Sequence, residues 1–311
     1  MKKTRFIMKR IVQILPMLLV VSALAFTLSN LSAGNAAEIV IMNQGGQVTP
    51  ESVAAVKQEL GLDKPLYIQY FAWLGKVCTL DFGVSFRSKL PVLDEIKQRF
   101  PATLSLILCA TLFSILLAVP TAILSARYKN KWIDHLFRVI STAGASIPDF
   151  WLGLILLYAF AVQFKLVPVI AGNKLQNIFL PAFTLSLGYA AIYTRMLRTN
   201  LIEIMKLNYM KAARAKGLSE SAVLIKHGLK NAVIPCLVLV GNNIGSLIAG
   251  SFACEVIFSW NGIGKFAIES IKIKDFPVIQ GYVLAVAFTF IVINLIMDIC
   301  YAYIDPKIKL D

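Results

Sequence analysis

The sequence predicts an all-α integral membrane protein, and three observations carry the prediction. First, 58% of the 311 residues are apolar and only 15% are charged, with a mean hydropathy of +0.71. A soluble domain is about 45–50% apolar and about 25% charged, because it must cover its surface with polar groups. Second, the apolar residues gather into six runs with at most one charge each. Third, the Lys and Arg residues gather between alternate runs. The same figures exclude a disordered chain. The net charge of +14 reads as the mark of cytoplasmic loops and a membrane surface, with no nucleic acid implied.

A helix crosses a bilayer with about 20 mostly apolar residues. The six runs are 11–29, 102–126, 139–164, 178–194, 232–254 and 281–304; the third carries Asp149 and the sixth Asp298. Basic residues set the orientation. With residues 1–10 inside, the cytoplasmic segments, among them 127–138 and 195–231, hold 19 of the 31 Lys and Arg. The two short outer loops hold five, and the outer segment 30–101 holds seven, balanced by seven acids. Six transmembrane helices with both termini cytoplasmic follow, the transmembrane domain covering about 95–305. Lys2, Lys3, Arg5, Lys9 and Arg10 ahead of the first run, and the small residues 32–37 behind it, also fit a cleaved signal peptide. The run is longer than the usual signal core of about 7–15 residues, which favours a retained anchor.

The outer segment is too long to be a bare connection. Thr49-Pro50-Glu51 reads as an N-cap, a proline at the first helical position and a first-turn acid, and Gly61 closes that helix after Leu60. The run 64–74, Lys-Pro-Leu-Tyr-Ile-Gln-Tyr-Phe-Ala-Trp-Leu, is amphipathic and aromatic, which suits the membrane rim.

Five cysteines without a Cys-x-x-Cys and two distant histidines, His135 and His227, build neither a disulfide framework nor a metal cage. No phosphate-binding Gly-x-x-x-x-Gly-Lys-Ser/Thr occurs. Gly262-Ile263-Gly264-Lys265-Phe266 imitates its tail, but Ser259 stands for the first glycine and Phe266 for the hydroxyl. The sequence therefore implies no directly bound cofactor and no metal.

The informative loop lies between the fourth and fifth runs. Leu207, Met210, Ala213 and Arg214 fall on one helical face. Gly217 suits a left-handed cap ending that helix, and Ser219 an N-cap opening a second short helix with Ala222, Val223 and Ile225. The prediction is a helix–glycine–helix elbow. Charge alone makes it a solvated basic loop; the small side chains of Ala212, Ala213 and Ala215 instead admit another protein's surface.

Ala212-Ala213-x-x-x-Gly217, followed by Ile234-Pro235, resembles the coupling-helix signature of permease subunits in ABC importers. The likeness extends along the chain through 61–67 (Gly-Leu-Asp-Lys-Pro-Leu-Tyr), Asp81-Phe82-Gly83-x-Ser85, Pro101-Ala102-Thr103-Leu104, Ser146-Ile147-Pro148-x-Phe150-Trp151-Leu152-Gly153, 213–218 (Ala-Arg-Ala-Lys-Gly-Leu), Phe258-Ser259-Trp260-x-Gly262-x-Gly264 and Asp305-Pro306-x-Ile308. These resemble the B-type permease of the dipeptide, oligopeptide and nickel importer family. One departure is Lys211, where many importers carry a glutamate. The resemblance implies the type I importer permease fold, a homologous second permease, two ATPase subunits that grip the elbow and use the ATP, and an external solute-binding protein or lipoprotein. It assigns ATPase coupling to Lys211, Ala212, Ala213, Arg214, Gly217, Leu218 and Pro235, no catalysis to this chain, and leaves the cargo open among peptides, nickel and related metal chelates.

Within the runs, Asp149 behind Pro148 is either a pathway carboxylate for a cationic or amine-bearing cargo or a carboxylate pairing with backbone freed by a kink. Asn242 and Asn243 in 241–245 (Gly-Asn-Asn-Ile-Gly) serve either as interhelical glue or as pathway lining, and Glu255, at the outer end of the fifth run, is placed at the interface or the mouth. Asn294 and Asp298, four apart, read as packing. Two other functions compete. An intramembrane enzyme needs a paired-acid or histidine signature that is lacking, and a secondary transporter needs an internal repeat and no ATPase partners. Co-purification of ATPases separates these from the importer.

Overall fold

The computed structural model describes residues 2–32, 36–43, 45–59, 61–170, 172 and 175–304. The small-residue stretch at 33–35, Leu60, Lys174, and the Asp305-Pro306-x-Ile308 motif with Lys307 and Lys309 lie outside them. The described residues are helical, and their single extended pairing is an isolated bridge between Val84 and Pro91. In order the helices are α1 (Lys2–Ser32), α2 (Ala36–Asn43), α3 (Pro50–Glu59), α4 (Leu66–Cys78), α5 (Val92–Arg127), α6 (Trp132–Ser146), α7 (Asp149–Leu157), α8 (Phe179–Ile204), α9 (Asn208–Ala215), α10 (Glu220–Ala222), α11 (Lys230–Gly250), α12 (Phe252–Ile257), α13 (Ile263–Lys272) and α14 (Phe276–Ile304). A π-helical turn, Tyr158–Gln163, extends α7, and a second, Val223–Leu229, joins α10 to α11.

Among the described residues, four stretches are long and apolar enough to cross a membrane: Val12–Leu31, Val92–Arg127, Glu220–Gly250 and Phe276–Ile299. A fifth arises if α6 and the α7 segment count together, but they bend by 100° at Ile147-Pro148. The expected unbroken run 139–164 is therefore two helices. Pro148 has no N–H to donate and holds an extended backbone, so the helix restarts at Asp149. The expected fourth run lies in α8, whose apolar content falls short because Thr184, Ser186 and Thr194 interrupt it and Arg195 follows.

The chain forms two compact units, one of residues 2–101 with 262–295 and the other of 102–261 with 296–304. In the first, Thr49 and Ser52 cap α3 reciprocally: each backbone N–H donates to the other's hydroxyl, at 2.9 and 3.2 Å. Gly61, at φ +64°, lets Leu62 N–H reach the Lys57 carbonyl at 2.8 Å and close the helix. The aromatic helix α4 is tied to α1 by the Ser22–Tyr70 hydroxyl contact at 2.9 Å and by the Phe26 ring, which meets Tyr70 and Trp73 at 5.6 and 5.5 Å.

The Asp81-Phe82-Gly83-x-Ser85 motif is a turn with a buried anchor. Gly83 has φ +80° and donates to Asp81 Oδ1 at 2.9 Å. Ser85 Oγ donates to buried Asp275 at 2.6 Å, and the Phe86 and Arg87 amides donate to the same carboxylate at 3.1 and 3.3 Å. Beside it, Val92, Ile96, Ile263 and Val278 form a core. Gly281 lets α14 touch that core: a Cβ there would stand 2.8 Å from Val92 Cγ1 and 3.3 Å from Ile96 Cδ1. Gly281→Ala gains about 1 kcal/mol of helix propensity. Overpacking costs about 1–3 kcal/mol, and fully buried Val92 has nowhere to move. A net fall in the thermal unfolding midpoint in detergent is expected; an unchanged or raised midpoint contradicts the close approach.

In the second unit α8 is the spine against which α6, α7 and α11 pack. Ser114 Oγ donates to the Ser186 carbonyl at 3.1 Å, and Thr121 meets Thr194 at 2.9 Å, so hydroxyls join α5 to α8. Glu255 is fully buried; it accepts from Thr103 Oγ1 at 2.6 Å and Ser251 Oγ at 3.4 Å. Trp260 Nε1 donates to the Ala102 carbonyl at 2.8 Å. The Ala102-Thr103 and Phe258-Ser259-Trp260 motifs thus meet in one buried polar knot.

Candidate functional site

The elbow begins where α8 ends. Leu207 has extended backbone, which turns the chain into α9. Met210 and Ala213, 0% and 7% exposed, pack with Val223 of the π turn against Ile204 and Met205. Leu207 departs from the expected stripe: it precedes α9 and stays exposed. Gly217, at φ +82°, takes the left-handed conformation that side chains resist. Ser219 then accepts from the Ala222 N–H at 3.3 Å as an N-cap.

The second arm differs from expectation. It is no separate short helix, because the helical path runs unbroken from Glu220 to Gly250. The π turn absorbs an extra residue there. A Cβ at Gly228 would lie 3.6 to 3.7 Å from Leu201, Met205 and Met210, in ordinary contact, so at this position the arm packs against α8, the turn after it and α9. Adjacent Leu224 joins a different cluster, with Ala122, Leu197, Leu201, Ala232 and Cys236. Val223 faces the elbow and Leu224 the helix bundle, so the two are rigidly continuous.

Polar contacts hold the angle. Arg214 pairs with Glu220 through Nε–Oε1 at 2.7 Å and Nη2–Oε2 at 3.4 Å, and its Nη1 donates to the Met205 carbonyl at 3.3 Å. Asn231 Nδ2 donates to Tyr209 Oη at 3.1 Å. The remaining predicted residues divide. Lys211, Ala212, Gly217 and Leu218 are exposed at the elbow, whereas Ala213 builds it from within and Arg214 closes it at the surface. Pro235 is exposed but lies inside α11, beyond the elbow's packing.

The pathway residues are not gathered into one site. Asp149 stands at the helix break, away from the middle of a continuous span. It is half-buried, has no hydrogen-bond or ion-pair partner among the described residues, and lies with Oδ1 3.4 Å from where a Cβ on Gly188 would be. Asn242 is exposed; Asn243 Nδ2 is buried without a hydrogen-bond partner among the described residues. Glu255, expected at the interface or the mouth, is fully buried, with the Thr103 and Ser251 hydroxyls donating to it.

Sequence reasoning missed the buried ion pair beside the elbow. Asp134 is 0% exposed and receives Arg198 Nε and Nη2, both at 2.7 Å, and Ser125 Oγ at 2.6 Å. The available signal was a lone acid within the basic loop 127–138.

Comparison with known proteins decides what the elbow belongs to. The family model described as "Binding-protein-dependent transport system inner membrane component" matches residues 118–310. Its companion, "Binding-prot-dependent transport system membrane comp, N-term", matches 3–107. The chain belongs to this permease family. Among curated relatives, the glutathione transport system permease protein GsiC of Escherichia coli (strain K12) is 36% identical over 304 residues, 98% of each chain. GsiC of Salmonella paratyphi A is also 36% identical over 98% of each chain. Two solved structures share the fold: an amino acid ABC transporter "with histidines" (16% identity, TM-score 0.54, 68% of this chain and 94% of that one) and the inward-facing MetNI methionine ABC transporter (17%, 0.54, 68% and 96%). The permease is thus a multi-pass inner-membrane subunit of an ABC importer, a class in which ATP hydrolysis lies in separate subunits.

Proposed function

We propose that the permease carries peptide-like cargo inward and that its elbow receives the force of the ATPases. The observation that supports this best is the elbow's construction. Met210 and Ala213 fasten it from within and the Arg214–Glu220 pair fastens it at the surface, while Ala212, Ala215, Lys211 and Leu218 remain exposed. In this reading the exposed alanine face seats in an ATPase groove, and residues 195–231 and both termini are cytoplasmic. Six spans, with the broken α6–α7 pair and α8 among them, line one pathway with a homologous second permease. An external binding protein delivers the cargo and the permease itself holds no cofactor. The two ATPase states favour different elbow positions through their differential contacts, which shifts the pathway between outward and inward access.

The cargo class follows the relatives named for glutathione. Asp149 suits a peptide amino group: it is an unpartnered carboxylate at a helix break, and buried acids without partners are costly unless they face water or ligand. The test is uptake by the complete transporter with its binding protein, in cells lacking competing systems. Labelled glutathione and dipeptides are expected to accumulate, and labelled nickel, cobalt and zinc to stay at background. Asp149→Asn is expected to lower peptide uptake about tenfold, the size of one charge-assisted hydrogen bond. Metal uptake without peptide uptake overturns the cargo assignment, and undiminished uptake by Asp149→Asn removes Asp149 from the pathway.

A further inference from the structure

Beside the elbow lies a cleft of about 480 Å³ that the coupling role does not use. Its rim carries Arg127, Lys129, Lys131, Lys206 and Arg214, and its one acid, Glu220, is already engaged by Arg214. Its floor is apolar, with Ile202, Met205 and Leu224. A topological bias toward basic loops only requires cations near helix ends. Here they converge from separate segments: the end of α5, the 128–131 turn, the turn after α8, and α9. Lys129, Lys131 and Lys206 are exposed.

We infer that this cleft binds a phosphate-bearing anion, and that the anion is the headgroup of an acidic phospholipid. The excess of positive charge selects the phosphate. The floor separates a lipid from a free ion: the cleft opens where the apolar run of α5 ends, at Ala126 and Arg127, so a headgroup reaches the rim while its glycerol and acyl carbons cover the half-buried Ile202 and Met205. Each basic residue near a charged membrane surface contributes about 1 kcal/mol, about fivefold in binding. Bound lipid also touches Arg214, and so meets the residue that closes the elbow. The inference rests on the membrane reading but not on the cargo or the ATPase contact.

The full-length chain, purified in mild detergent with the subunits that accompany it, is loaded with equal phosphatidylglycerol and phosphatidylcholine, and retained lipid is measured by mass spectrometry. Phosphatidylglycerol is expected to be retained at least about tenfold over phosphatidylcholine. The combined variant Lys129→Gln, Lys131→Gln, Lys206→Gln is expected to lose that preference. Lys216→Gln, Lys226→Gln, Lys230→Gln removes the same charge from exposed positions outside the cleft lining and is expected to keep it. Inorganic phosphate at about 10 mM is not expected to displace the lipid, because it cannot cover the floor. Absence of a preference in the unaltered protein, equal loss in both variants, retention in the cleft variant, or displacement by phosphate alone each overturns the inference.

Discussion

Replacing Ala212 with arginine is expected to abolish ATP-driven uptake while leaving the permease folded and in the membrane. Ala212 sits on the exposed side of α9, and Ala213, one residue on, is 7% exposed against Met210 and Val223. The two alanines of one motif therefore do different work. An arginine at 212 meets only solvent in the isolated chain, so stability should change by less than about 0.5 kcal/mol. In the assembled importer the same side chain would be forced into a closed protein–protein surface. An unpaired buried charge there costs about 3–5 kcal/mol, or roughly a hundredfold or more in binding. Ala212→Ser keeps the size and should keep transport. Ala213→Arg should instead lower the thermal midpoint, because it drives a charge into the elbow's own packing. Uptake in vesicles, ATPase co-purification and detergent thermal unfolding distinguish the cases. Normal uptake by Ala212→Arg would remove the coupling role from this face.

The elbow was legible because its signals are local. Gly217 ends α9, Ser219 caps the next turn, and Met210 with Ala213 marks the buried face; each rests on residues within one or two helical turns. The same holds for Thr49 and Gly61 around α3. What was not legible depends on distant partners. Gly228 costs about 1 kcal/mol within a helix, and no local signal joins the short helix after Ser219 to the fifth run, so the two read as separate. At Gly228 the second arm lies against Leu201 and Met210, and tertiary contact overrides propensity. Glu255 reads as an interface or mouth residue until Thr103, 152 residues earlier, is found donating to it. Pro148 announces a bend, but a kink of a few tens of degrees and a 100° break look alike in sequence.

The second large effect belongs to Asp134 and Arg198. Asp134→Ala is expected to destabilise the permease by about 3–5 kcal/mol, because it strands a guanidinium that is 17% exposed beside an apolar helix face. The carboxylate joins three helices: Ser125 of α5, the Asn130 amide at 2.8 Å ahead of its own helix α6, and Arg198 of α8. Asp134→Asn keeps the shape but loses the charge-assisted fork to Arg198 Nε and Nη2, so a smaller fall is expected. If the pair acts as one unit, Arg198→Met should cost much less when Asp134 is already Ala than when it is Asp, giving a coupling energy above about 1 kcal/mol in a double-mutant cycle of detergent unfolding. Additive effects would mean that each residue serves the fold separately. Arg198 lies six positions before α8 ends at Ile204 and the elbow begins. On the proposed function, the pair anchors the helix that links the elbow to Asp149 and the break at Pro148. At a temperature low enough to keep Asp134→Asn folded, uptake should still fall while ATPase co-purification stays intact. A variant that is merely less stable would recover uptake fully on cooling, and that outcome would confine the pair to holding the fold.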